Sequence, residues 1–327
     1  MHNQPKPHHG RVLIFLLVWF GALGALYVNQ QRITDWWKLR GYFPSSAVAA
    51  IARSTQMNDH GTHLFYVNKP QLLESSTFSK ECPIAAEKTI ILGCYKGGDR
   101  GIYLYDVTDI RLQGVEEVTA AHEMLHAAYA RLSAAEKKQL DTSLEAFYQK
   151  SLNDERVRET IALYRQTEPT EIANEMHSIF ATEVMDLPAE LEAHYKQYFT
   201  NRKAVVTMAL RYQAEFTLRR DQVAAFDADL NTLKSTIDTN QSRLLAQRSE
   251  LDAQQRELDV LRRTNVGTYN ATVASFNQLV RAYNALLSET QGLIAEYNDT
   301  VEKRNALALE ERQLTQALSA EGLPSAQ

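Results

Sequence analysis

The sequence predicts an α+β fold with an N-terminal transmembrane helix, a compact domain built from a small β-sheet and several helices, and a long C-terminal antiparallel coiled-coil hairpin. Three observations support this prediction: a long uncharged run near the N-terminus, short β-branched and aromatic runs in the middle, and heptad spacing in a glycine-poor last third. The predicted segments are a tail at 1–11, the membrane helix at 12–28, a linker with a short helix at 29–61, the compact domain at 62–201, the hairpin at 202–320 and a tail at 321–327.

The run at 12–28 carries no charged residue, and as a helix it would be about 25 Å long. That is slightly short for a bilayer, but Arg11 can extend its side chain towards the headgroups. Tyr27, Trp36 and Trp37 are residue types that favour the membrane interface. The run therefore predicts a single membrane span.

A cleaved signal peptide is the alternative for the same run. Cleavage after Ala25 would place Leu23 at a position where a small residue is preferred. A short basic head followed by a long chain favours a signal anchor with its N-terminus inside. We therefore expect a single-pass membrane protein whose compact domain is extracytoplasmic.

The segment His122-Glu123-Met124-Leu125-His126 lies in an otherwise uncharged stretch. Residues four apart on a helix project from one face, so both imidazoles can reach a single metal ion. Glu123 follows the first histidine and can address a water molecule bound to that metal. The spacing predicts a metal-binding helix.

In this motif the chain resembles the zincin metallopeptidases. The metzincin branch is a poor match, because Tyr129 stands where its glycine belongs and Leu132 where its third histidine belongs. The gluzincin branch, thermolysin-like in layout, takes its third ligand from a glutamate on a later helix. The resemblance covers roughly residues 62–200 and implies a zincin-like domain, a Zn²⁺ cofactor and a peptide or protein substrate.

A catalytic zinc ion needs a third protein ligand. Glu175 follows Asn174 and resembles the start of the second ligand helix of the gluzincins. Glu171 shares its face and is an alternative ligand, or the carboxylate that hydrogen-bonds to a ligand, since Ile179 replaces the aspartate of the family. His177 points away from Glu175, so only one of the two can bind the metal.

The resemblance implies hydrolysis by a zinc-activated water, with Glu123 as the catalytic base. Such sites also use a donor for the developing oxyanion. His194, Tyr195 and Tyr198 are candidates for that role by position alone.

Upstream of the motif the pattern is extended. Strands are predicted at 89–95 and 102–107 with a glycine-rich turn at 96–101, and a third strand at 63–68. The stretch at 134–163 is predicted to be helical and to connect the two ligand helices. In the family this chain resembles, an edge strand of the sheet holds an extended substrate.

Cys82 and Cys94 are the only cysteines. Their spacing fits no metal motif. A disulfide between two neighbouring extended segments and a pair of buried thiols are both compatible with the sequence.

The C-terminal third contains two heptad series, and the only glycine between them, Gly267, predicts a turn. Folding the chain there gives an antiparallel hairpin, whereas an intermolecular coiled coil remains the alternative. The predicted register places Leu251 opposite Tyr283, Leu244 opposite Thr290 and Asn240 opposite Ile294.

The net charge is −5 and no basic cluster is visible, which argues against nucleic acid as a partner. The sequence as a whole predicts a membrane-anchored zinc metallopeptidase whose coiled coil binds a protein partner or positions the catalytic domain. A non-catalytic envelope scaffold and a zinc-dependent cell-wall amidase are the alternatives.

Overall fold

The structure is a computed structural model that describes residues 9–83, 90–98 and 100–319, with side chains described from Trp19 onward except those of Ala22 and Ala25. Contacts divide the chain into two compact units. The first ends at Tyr212 and also includes the chain from Ala317, and the second spans Gln213–Gln316.

The described elements follow one another in a mostly helical order. They are α1 (His9–Leu39), α2 (Ser46–Ser54), α3 (Asp59–Val67), β1 (Gln71–Leu73), α4 (Ser75–Glu81), β2 (Gly93–Lys96), β3 (Gly101–Tyr105), a 3-10 turn (Ile110–Leu112), α5 (Val115–Ala130), α6 (Ala134–Lys150), α7 (Glu155–Thr167), α8 (Ile172–Glu183), α9 (Ala189–Tyr195), α10 (Arg202–Thr264) and α11 (Val266–Leu318).

The predicted transmembrane helix at 12–28 is wrong. Across the described ranges, no helix combines the length and the apolarity that crossing a membrane requires. The apolar run is only part of α1, which continues through polar residues to Leu39. Near its end, the buried carboxylate of Asp35 accepts two hydrogen bonds from Arg131, at 2.7 and 2.8 Å. The predictions of a membrane anchor and of a single-pass membrane location are corrected accordingly.

The sheet has three strands in the order β1-β3-β2, with β1 parallel and β2 antiparallel to β3. The predicted hairpin is confirmed, because Lys96 pairs with Gly101 across the turn. Gly98 and Gly101 have positive φ angles of 78° and 110°, a conformation that favours glycine. β2 is an edge strand of this sheet.

The third strand predicted at 63–68 is wrong, because that segment belongs to the helix α3. Asn58 caps this helix by accepting a hydrogen bond from the amide of Gly61, at 3.0 Å. The local cap therefore outweighs the β-forming side chains that follow it. The third strand is instead β1, which begins directly after Pro70.

The main core surrounds α5, whose Ala120, Ala121 and Leu125 are completely buried. α5 packs against α8, α2, α3 and the strands β2 and β3. The segment predicted as a linker contributes Val48 and Ile51 of α2 to this core. The helical stretch predicted at 134–163 is divided into α6 and α7.

In the second unit α10 and α11 run antiparallel. Nε of Arg304 lies 3.0 Å from Oδ1 of Asp227, and Nδ2 of Asn240 lies 3.5 Å from Oε1 of Glu289. The predicted register placed Asn240 opposite Ile294, so the observed register is shifted by about one helical turn.

The shift in register has a local cause at the turn. α10 ends at Thr264 and α11 begins at Val266, so the chain reverses at Asn265 rather than at Gly267. The Asn265 side chain accepts a hydrogen bond from the amide of Thr268 at 3.1 Å and caps α11.

Candidate metal centre

The two histidines of the motif lie on one face of α5, as their spacing predicts. Their ring centroids are 4.6 Å apart and the rings meet edge to face. One ligand atom each of His122, Glu123 and His126 lies within 4.8 Å of the others. His126 is buried on this face, whereas 18% of the His122 side chain is exposed.

Glu175, in the first turns of α8, is brought to the same point. Its Oε2 lies 3.5 Å from Nε2 of His122, and its Oε1 lies 3.4 Å from Nε2 of His126. The residue is only 7% exposed. Packing of α8 along α5 therefore joins the third predicted ligand to the imidazole pair across 49 residues of sequence.

The distances between the donor atoms suit a metal ion placed between them. Donors about 2.0–2.1 Å from a tetrahedral zinc ion are about 3.3 Å apart, close to the two distances between Glu175 and the histidines. The Oε2 atom of Glu175 is buried and has no hydrogen-bond partner among the described residues. A buried carboxylate oxygen without a partner is costly, and a divalent cation would satisfy it.

Ser178, one turn after Asn174 on α8, orients the second histidine. Its Oγ donates to the carbonyl of Asn174 at 3.2 Å and lies 3.3 Å from Nδ1 of His126. This arrangement suits an N–H at Nδ1, so that Nε2, which faces Glu175, is the nitrogen available to a metal ion. The tautomer that binds a metal through Nε2 is therefore favoured.

The Glu175 carboxylate controls the protonation of His122. Burial lowers the pKa of His122, but the interaction with the Glu175 carboxylate outweighs burial and raises this pKa to about 9. Burial also opposes ionisation of Glu175, yet His122 and His126 lower its pKa below the ordinary value. Without a metal, the site therefore holds a proton that a bound cation replaces.

Glu123 lies beneath the edge strand β2. A Cβ atom on Gly93 would stand 2.5 Å from Cγ2 of Thr119 and 2.9 Å from Cγ of Glu123, so only glycine permits this close approach. Burial raises the pKa of Glu123, and the charges of the two histidines oppose that increase. A buried carboxyl with a raised pKa beside a metal site has the properties of a general base.

Glu171 lies one turn before Glu175 and is exposed. Its carboxylate lies 3.4 Å from Nδ2 of Asn174. Among the described contacts it does not reach the imidazole pair, so the structure favours Glu175 over Glu171 as the third ligand.

His177 is completely buried on another side of α8, with its Nε2 3.0 Å from Nε2 of His194. Burial, followed by the charge of His194, holds the pKa of His177 well below its usual value. The hydroxyl of Tyr195 donates to the carbonyl of His177 at 2.8 Å, and Tyr198 stacks on His60. The four predicted site residues therefore form a cluster of their own: His177, His194, Tyr195 and Tyr198. No described contact joins their side chains to Glu123 or Glu175.

Sequence reasoning missed Tyr164, which lies on α7 in a stripe with the buried Val157 and Ile161. Burial raises its pKa, and the charges of Glu175 and Glu123 add to that increase. Within the described part of the chain its hydroxyl has no hydrogen-bond partner. A neutral phenol near both carboxylates can donate a hydrogen bond to a developing oxyanion. The helical spacing of residues 157, 161 and 164 was the sequence signal that places Tyr164 on the inner face of α7.

Cys82 and Cys94 are joined by a disulfide, with Cα atoms 6.0 Å apart. Cys94 lies on β2 next to Gly93, and Cys82 ends α4. The bond belongs to a small cluster with Phe78 and Tyr103, separate from the main core. It ties down the strand that covers Glu123.

Comparisons of the chain with protein families, with curated proteins and with solved structures find no match. The function is therefore argued from the geometry of the site.

Proposed function

We propose that this protein is a zinc-dependent hydrolase that cleaves peptide bonds. The observation that carries the proposal is the convergence of the His122 and His126 imidazoles with a buried carboxylate oxygen of Glu175 that lacks a partner. Two imidazoles and one carboxylate are the donor set of many catalytic zinc sites, which keep a fourth position open. The assignment to zinc and to hydrolysis is also supported by the resemblance of the motif to the zincins.

Each site residue has a role in this proposal. Zinc, when bound, supplies an activated water and a Lewis acid for the scissile carbonyl. Glu123 takes the proton from the water and passes it to the leaving amine, for which its raised pKa is suited. Tyr164 donates a hydrogen bond to the carbonyl oxygen as negative charge develops there.

A peptide substrate is favoured by the position of the edge strand. β2 pairs with β3 on one side only, and it packs directly on α5. An extended peptide that pairs with the other edge of β2 would pass beside Glu123, with its backbone amides and carbonyls satisfied. Binding of a partner by the helical hairpin of 213–316 stays a prediction.

The proposal is tested with the full chain, its Glu123→Gln variant and a Glu190→Gln control on the exposed part of α9. Metal analysis is expected to find one zinc ion in all three proteins. Cleavage of a mixed peptide library, followed by mass spectrometry, should be present in the wild type and in the control. It should fall by about 10²–10⁴-fold in Glu123→Gln. Equal cleavage by Glu123→Gln, or absence of zinc from the wild type, would overturn the proposal.

A further inference from the structure

Within the second unit, α11 has a broader apolar face than its contact with α10 requires. On the side that faces α10, Leu286 and Thr290 are buried. Beside them a further apolar row recurs every seven residues, and each of its members is partly exposed: Val273, Val280, Leu287, Ile294 and Val301. A two-stranded seam needs only two inner rows, whereas a third apolar row is typical of a helix in a larger bundle. We call these five residues the outer apolar row.

The equivalent row of α10 is polar. It lies one helical turn after the core row that contains Leu244 and Leu251, and it consists of Asp227, Lys234, Gln241, Arg248, Gln255 and Arg262. α10 therefore has the narrow apolar seam that a two-helix hairpin needs. The additional apolar row belongs to α11.

A row of exposed carboxamides borders the outer apolar row on α11. Its members also recur every seven residues: Asn270, Asn277, Asn284, Gln291, Asn298 and Asn305. Neither row contains a charged residue. A carboxamide both donates and accepts hydrogen bonds, so this face can lie against an identical face without electrostatic repulsion.

The outer apolar row is symmetric about its middle residue, Leu287. In an antiparallel pair of α11 helices centred there, Leu287 meets Leu287 of the second copy. Val280 then lies opposite Ile294, and Val273 lies opposite Val301. The pairing joins apolar residues of similar size in every layer.

The same register matches the carboxamide row with itself. Asn284 lies opposite Gln291 of the second copy, and Asn277 lies opposite Asn298. Both rows are therefore self-complementary about one two-fold axis, as the interface of a symmetric dimer requires.

We propose that a second copy of this chain packs its α11 antiparallel on this face, so that two hairpins form a four-helix bundle. From residue 273 to residue 301 the contact is about 42 Å long, and a helix about 10 Å wide then covers about 400 Å² on each copy. An area of about 800 Å² for both copies is small for a protein interface, so the dimer should dissociate on dilution.

Sedimentation of the full chain between about 1 and about 100 µM tests the association. The wild type is expected to change from monomer to dimer over this range. Ile294→Lys should raise the dissociation constant by at least about tenfold, because it places a desolvated charge in the contact. Ile294 is 38% exposed, so the hairpin itself loses little packing. The matched control Ala282→Lys adds the same charge on an exposed part of α11 outside both rows and should dimerise like the wild type. Circular dichroism shows whether the helices are retained.

Single introduced cysteines test the register, since Cys82 and Cys94 are already joined in a disulfide. Under mild oxidation Leu287→Cys should link to a second copy of itself. A mixture of Val280→Cys and Ile294→Cys should give mainly the mixed dimer. Ala282→Cys is the control and should link much more slowly.

A wild type that stays monomeric at every concentration overturns the proposal. A dimer that persists unchanged in a folded Ile294→Lys protein places the contact elsewhere and also overturns it. Linkage of Val280→Cys mainly to itself excludes the antiparallel arrangement. These measurements need neither zinc nor hydrolysis, so their outcome is independent of the proposed function.

Discussion

Replacing Glu175 by alanine should weaken zinc binding by about 10²–10³-fold. Zinc sites with four protein ligands have apparent binding free energies of about 10–16 kcal/mol, or about 2.5–4 kcal/mol for each ligand. Each factor of ten in affinity corresponds to about 1.4 kcal/mol, so the loss of one ligand corresponds to a decrease in zinc affinity of about 10²–10³-fold. We expect the carboxylate to count as a full ligand because its two oxygens lie 3.4 and 3.5 Å from the two imidazole nitrogens.

The same substitution should change the protons released on metal binding. In the wild type, Glu175 raises the pKa of His122 to about 9, so this imidazole is protonated at pH 7 without metal. Zinc must displace that proton, and the apparent affinity should therefore rise by about tenfold per pH unit up to about pH 9. Without Glu175, burial dominates and lowers the pKa of His122, so the pH dependence above pH 7 should largely disappear.

Both quantities can be measured by competition with a chromophoric chelator at pH 6, 7, 8 and 9, with proton release followed in weakly buffered solution. Glu190→Ala serves as the control for loss of a carboxylate, and circular dichroism of the metal-free proteins shows whether the fold is retained. A decrease of less than tenfold in a folded Glu175→Ala protein, or an unchanged slope with pH, would refute the assignment of this carboxylate as a ligand.

Three further predictions concern the surroundings of the centre. Gly93→Ala should destabilise the protein by about 1–3 kcal/mol and reduce hydrolysis with zinc retained, because its Cβ would meet Thr119 and Glu123. Thermal unfolding should show that the stability is partly restored in Gly93→Ala/Thr119→Ser. Ser178→Ala should lower zinc affinity by about 10–100-fold without altering the far-ultraviolet spectrum, and an unchanged affinity would exclude its role in orienting the histidine. Replacing both cysteines by serine should lower the free energy of unfolding by about 3 kcal/mol, measured by urea titration, since the bond closes a loop across 12 residues.

The part of the site that lies within one helix was predictable from the sequence. The four-residue spacing of His122 and His126 determines their common face once the segment is helical. Glu175 could also be identified from the sequence, because Asn174 and the helical pattern resemble a known ligand helix. These predictions depend on local geometry or on a motif. Both can be made without knowing how the chain runs between the elements.

The surroundings of other residues depend on contacts between elements. Their place in the sequence made His194 and Tyr195 candidate oxyanion donors. Packing of α9 directs both towards His177, and their role as donors stays a prediction. Tyr164 was missed because only the packing of α7 against α8 brings it near the carboxylates.

Two errors came from giving one local signal too much weight. Gly267 suggested the turn of the hairpin, whereas the side chain of Asn265 caps α11 two residues earlier. The apolar run at 12–28 was interpreted alone, although the helix that contains it continues to Leu39 and is held near its end by Asp35.

The electrostatics of the site favour a ligand centre over a structural ion pair. A structural pair would be expected to satisfy both carboxylate oxygens, because a buried acceptor without a partner costs about 1–3 kcal/mol. Here the Oε2 atom of Glu175 accepts no hydrogen bond and faces only Nε2 of His122, at 3.5 Å, and Glu123 is kept beside the histidines by burial under a glycine. The edge strand would need no such close approach if the carboxyl of Glu123 served only to fill space. A divalent cation bound by both imidazoles and Glu175 would satisfy the Oε2 atom of Glu175 and replace the proton that Glu175 favours on His122, and it would give the buried carboxyl of Glu123 a water molecule to deprotonate.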